Sequence, residues 1–145
     1  MPVAWEEKPG ATAYDRDMPD PTAAEYEEAS RLRIALRRFL HQSELITRRH
    51  GLSPRHYELL LLIKASAQSR STVSELVELL RLTQSTVTEL VQRAEEAGLL
   101  GRQQSSVDGR IVHLTLTAEG EQRLSASLSE LGVERARLLD TLQRS

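Results

Sequence analysis

The hydrophobic period of this chain changes at Gly98, and that change constrains the fold more than any other feature. Before it, apolar residues recur in threes and fours: Leu76, Val77, Leu79 and Leu80, then Val87, Leu90, Val91 and Ala94. That is the spacing of two amphipathic helices. After it, Val112, Leu114 and Leu116 alternate with His113, Thr115 and Thr117, the period of a half-buried strand. Asp108-Gly109 is a hairpin signal. The short stretch 99–103 is therefore expected to pair with 112–117 around a tip at Ser105 to Arg110, with His113 facing solvent. Thr72-Val73-Ser74-Glu75 reads as a capping box opening the first helix, and Thr83 caps the second. Only Arg81-Leu82-Thr83 separates them. Helix, tight turn, helix and hairpin make a winged helix-turn-helix.

The flanks extend this plan. From about Thr22 to Arg49 the pattern is helical, with Leu32, Ala35, Leu36, Phe39 and Leu40 as its stripe and Gly51 as its stop. Ser53-Pro54 starts a helix that runs through "HYELLLLIKA" and is apolar on most sides, as a central buried helix is. Thr117 caps a last helix carrying Leu124, Leu128, Leu131, Leu138, Leu139 and Leu142, with Gly132 as a point of bending. The first and last helices carry more leucine than the chain can cover, which points to a dimer interface built from both. The expected fold class is mainly α with a small β-hairpin wing. Its organisation is an N-terminal arm (1–20), a dimerisation helix (21–52), a winged helix-turn-helix (53–117) and a C-terminal dimerisation helix (118–145).

Composition removes other classes. The 145 residues suit one domain. There is no cysteine, so disulfides and thiolate zinc sites are excluded. No apolar run has membrane-spanning length, and a cytoplasmic protein is expected. His41, His50, His56 and His113 show no metal-binding spacing, so neither a metal nor a cofactor is expected. No phosphate-binding loop or nucleophile motif appears, so the chain is not read as an enzyme. The net charge is −2, unevenly spread: −6 over residues 1–30, +6 over 31–69 and −2 over 70–123. The segment expected to read DNA is thus not basic on average.

What points to DNA is the opening of the second helix. In a helix-turn-helix that end enters the major groove. Gln84, Ser85, Thr86 and Thr88 are short or amide side chains that suit base edges and phosphate oxygens, and the helix N-terminus itself favours anions. Gln pairs bidentately with adenine. The partner implied is double-stranded DNA. The same polar start also suits an ordinary capped surface helix, so a protein-interaction scaffold is the alternative.

At "STVTELVQRAEEAGLL", followed by Arg102, by Asp108-Gly109-Arg110 and by "LTAEG" at 116–120, the chain resembles the MarR family of transcriptional regulators. The resemblance spans roughly residues 25 to 145. It implies a homodimer joined through its terminal helices, with Arg110 in the wing position that enters the minor groove and Asp108 bracing it. It also implies a repressor released by a small, often phenolic or anionic, effector. Two departures stand out. Glu89 lies on the reading helix, where a carboxylate either accepts from cytosine, repels phosphate or pairs with Arg93. Positive charge is also scarce, leaving phosphate neutralisation to Arg81, Arg93, Arg102 and Arg110, helped by Arg55 and Lys64. The effector cleft is expected beneath the reading heads, lined by Arg37, His41, His50 and Tyr57, with Arg38, His56 and Trp5 as further candidates.

Overall fold

Helix α2 (Pro54–Ala65) is the hub of the molecule. Its Leu59, Leu60 and Ile63 have no exposed surface, because neighbours cover it on most sides. These are α1 (Ala23–Arg49), α3 (Val73–Leu80), α4 (Gln84–Glu96), the hairpin β1 (Leu100–Gln104) and β2 (Val112–Leu116), and α5 (Ala118–Glu130). Helix α6 (Gly132–Gln143) returns along α1. The computed structural model describes residues 18–144. Most of the expected N-terminal arm, with Trp5, lies outside the described residues.

The elements start and stop where short polar side chains and left-handed backbone place them. Ser53, Thr72, Thr83 and Thr117 each accept a hydrogen bond from the backbone N–H three residues on, at 3.1 to 3.2 Å. Each such cap stabilises its helix by about 1 kcal/mol. The cap at Thr72 is one-sided. The reciprocal box instead opens α1, where Thr22 N–H donates to Glu25 at 2.6 Å. Gly98 ends α4 at φ +76°, with Leu99 N–H on the Ala94 carbonyl and Gly98 N–H on that of Glu95, both at 2.9 Å. This is the Schellman pattern that a glycine permits.

The hairpin runs antiparallel, with Leu100 opposite Leu116, Arg102 opposite Leu114 and Gln104 opposite Val112. Ser71 adds a third rung beside Leu114, through Leu114 N–H to Ser71 O at 2.7 Å and Ser71 N–H to Leu114 O at 3.2 Å. Ser71 is fully buried, its hydroxyl on Ser66 Oγ. His113 is likewise not a solvent-facing residue: its ring is partly covered, and Nδ1 is buried without a hydrogen-bond partner among the described residues.

Two further expectations change. Leu79 does not join the core and is 56% exposed. The last helix is two helices, divided at buried Leu131 just before Gly132, and α6 packs along α1. Along α1 only Ile46 and Thr47 are buried. Ile34, Leu36, Leu40 and Leu45 stay exposed, as do Val133, Leu139 and Leu142 on α6. No helix among the described residues is long and apolar enough to cross a membrane.

Candidate nucleic-acid interface

Val87, Val91 and Ala94 anchor α4 in the core with no exposed surface. At about 100° per residue, the opposite face carries Ser85, Glu89, Gln92 and Glu96, all exposed. Gln84 and Thr88 flank it on one side, Thr86 and Arg93 on the other. The expected polar opening divides into two groups. Thr83 and Thr86 spend their hydroxyls on each other, 2.8 Å apart, while Thr83 also caps the helix. Gln84, Ser85 and Thr88 are exposed, with no side-chain hydrogen bond among the described residues. These three are free to meet a base edge.

The four expected cations also divide. Arg93 is paired with Glu89 at 2.5 Å. Arg102 holds both carboxylate oxygens of Glu95 through Nε, at 2.8 and 2.9 Å, and that bond keeps its guanidinium the more firmly protonated. Each thus has an acid of α4 within reach, which offsets its charge at this surface. Lys64 is likewise taken, by Glu121 at 2.9 Å. Arg81 and Arg110 are exposed without an ion pair among the described residues. Arg55, also exposed and unpaired, borders a shallow hollow of about 190 Å³ beside Thr86, Glu89 and Arg93. Burial pushes the neighbouring His56 imidazole below its ordinary pKa, and Arg93 adds to the same shift.

The wing tip is held by its own backbone. Asp108 Oδ1 accepts from Arg110 N–H at 3.0 Å, so this carboxylate braces the main chain. Ser105 Oγ accepts from Val107 and Asp108 N–H at 3.2 and 3.3 Å. The base of the wing is locked to the exit of α4: Thr117 Oγ1 donates to the Gly98 carbonyl at 2.6 Å, and Thr117 N–H to that of Leu99 at 3.0 Å. Gly120 lies so near Leu99 that a Cβ there would sit 2.3 Å from the carbonyl oxygen. The "LTAEG" segment is thus the clamp that sets the wing beside the reading helix.

A cavity of about 570 Å³ lies between α1, α2 and the α5–α6 junction, lined by Phe39, Tyr57, Leu61, Leu128, Leu131 and Arg135 among others. Burial raises the Tyr57 phenol pKa against the opposing pull of Arg135. Of the four expected liners only Tyr57 is there. Arg37 and His41 point elsewhere along the exposed length of α1. His50 instead meets Glu130 at 2.9 Å, beside the Arg49–Glu130 pair. Arg38 borders a separate groove between α1 and α6. Arg135 was missed because its neighbour Tyr57 lies 78 residues away in the chain, a separation that no local pattern encodes. Among the described residues no group of three or more His, Asp or Glu could hold a metal ion.

Residues 50–111, which run from the end of α1 to the far side of the wing tip, match the sequence model of the MarR family. Curated proteins offer no match. Among solved structures the chain is similar to AbsC, a MarR family transcriptional regulator from Streptomyces coelicolor. The two share 22% identity and a TM-score of 0.70, over 86% of this chain and 84% of that one. Sco3205 of the same organism, a MarR family regulator in complex with DNA, is 24% identical with a TM-score of 0.64, covering 84% and 78%. The transcriptional regulator Tm0710 from Thermotoga maritima is 26% identical with a TM-score of 0.61, covering 82% and 91%.

Proposed function

We propose, from the premise that residues 50–111 form a MarR-family winged helix, that this chain is a sequence-specific double-stranded DNA-binding transcriptional regulator. In this reading it is a cytoplasmic homodimer whose two α4 helices enter successive major grooves of a pseudo-palindromic site. The half-sites lie about one helical turn apart, roughly 34–36 Å. The observation that carries the reading is a division of labour at the surface: Gln84, Ser85 and Thr88 stand unengaged on α4, while Asp108 holds the backbone of a wing tip whose Arg110 is unpaired. Gln84 suits adenine, Ser85 and Thr88 suit base edges or phosphate, and Arg110 suits the minor groove.

Repression relieved by a small ligand is the second part of the proposal. A cavity of about 570 Å³ falls within the range of small-molecule sites. Its apolar walls suit an aromatic body, and Arg135 suits an anionic group at the edge. The alternative, a protein-interaction scaffold, draws on the acid pairs that neutralise Arg93 and Arg102.

Selection of bound duplexes from a random library separates the two, followed by fluorescence anisotropy across a salt series. A regulator enriches an inverted repeat bound by one dimer. If Arg81 and Arg110 are the phosphate-neutralising groups, a dimer makes about four such contacts, and log K falls with log salt at a slope near −4. Arg110→Ala is expected to lose about tenfold in affinity while staying folded. Enrichment of nothing at low salt by a folded protein moves the scaffold ahead.

A further inference from the structure

We infer that Glu89 is a specificity-determining residue of α4, which selects cytosine in the major groove and rejects guanine and thymine. The inference rests on the DNA-binding reading above. Glu89 sits at the middle of the outward face, one turn beyond Ser85 and one before Gln92 and Arg93. Its side chain is 63% exposed. Only Oε1 is engaged, by Arg93 NH2; Oε2 has no partner among the described residues. Thus an exposed residue of the outward face carries a free acceptor.

A carboxylate offers acceptors and no donor. In the major groove cytosine presents an N4 amine donor and no acceptor of its own. Guanine presents N7 and O6 acceptors, thymine an O4 acceptor beside its methyl, and adenine an N6 donor beside N7. Against guanine or thymine the carboxylate meets acceptors in a water-poor interface and leaves both sides unpaired, which is costly. Discrimination therefore comes from rejection as much as from attraction. The adjoining phosphates would oppose a lone acid. Arg93 answers this: it neutralises Glu89, and its Nε and NH1 are left to donate elsewhere. As an exposed i, i+4 pair, the bridge contributes little to folding, so stability alone gives no reason for an acid at this place.

The test uses the full chain as wild type, Glu89→Gln and Glu89→Ala, each taken through the same duplex selection. Each is then titrated against the wild-type site with all four bases at every half-site position. Wild type is expected to prefer C·G at one position of each half-site by about tenfold. Glu89→Gln should shift that position toward adenine, and Glu89→Ala should flatten it, with the other positions and the melting temperature unchanged. If both variants keep every wild-type base preference and merely bind all duplexes more tightly by one common factor, Glu89 is a repulsive surface acid and the inference fails. Should wild type enrich no duplex at all, the DNA-binding reading fails first and takes this one with it.

Discussion

Arg81 holds a left-handed backbone at φ 54° in the turn between α3 and α4, a conformation that costs a non-glycine residue about 1 kcal/mol or more. Its N–H closes the end of α3 on the Val77 carbonyl at 3.0 Å, and its left-handed backbone then turns the chain toward α4. A glycine would adopt that backbone without strain, yet the position carries an exposed, unpaired cation beside the start of the reading helix. Arg81→Gly is therefore expected to be more stable than Arg81→Ala by roughly 1 kcal/mol, while both lose DNA affinity equally. Paired denaturation and anisotropy measurements check this; equal stability of the two variants would remove the strain argument, and undiminished binding would remove the phosphate role.

At the scale of elements, the wing is positioned from its base. Three contacts converge on Leu99 and Gly98: the Thr117 hydroxyl, the Thr117 N–H and the close approach of Gly120. Ser71 and Leu114 add a second fixing point at the other side of the hairpin. A methyl group at position 120 meets backbone, which cannot swing aside as a flexible side chain would. Gly120→Ala is expected to destabilise by about 1–3 kcal/mol, read as a lowered denaturant midpoint at unchanged slope. Gly98, by contrast, has nothing within 4 Å of an added Cβ, so a substitution there is penalised only through its positive φ.

Over the whole molecule, the uncovered apolar surface is concentrated on α1 and α6. Ile34 is 65% and Leu40 64% exposed, and Leu36 and Leu45 add to the apolar surface of α1, more than scattered single residues account for. A second copy of the chain is the occupant that the proposed function supplies. Leu40→Glu is expected to shift the protein toward monomer in analytical ultracentrifugation, and to weaken DNA binding far more than the loss of one side chain would, since a monomer reads only one half-site. A Leu40→Glu protein that remains a dimer would place the interface elsewhere. Arg123 Nη1 donates to the Gly51 carbonyl at 3.0 Å, which ties α5 to the turn between α1 and α2.

The sequence by itself determined the element order as far as Thr117, the four Ser and Thr caps, the glycine stop of α4, the hairpin and its tip, and the winged helix-turn-helix class. Each of these is set by interactions within a few residues, or by a period that repeats along one element. Tertiary structure decided which polar groups are free. Arg102 finds Glu95 across the α4–β1 turn, and Lys64 finds Glu121 on another helix. Ser71 is drawn into the core by a strand more than forty residues away. Tyr57 and Arg135, from α2 and α6, come to line one cavity. The Arg93–Glu89 pair was legible as one alternative, since i, i+4 neighbours share a helix face. The others depend on separations that one-dimensional pattern does not encode: a side chain's hydrogen-bonding capacity is written in its residue type, but whether a partner consumes it is settled by packing.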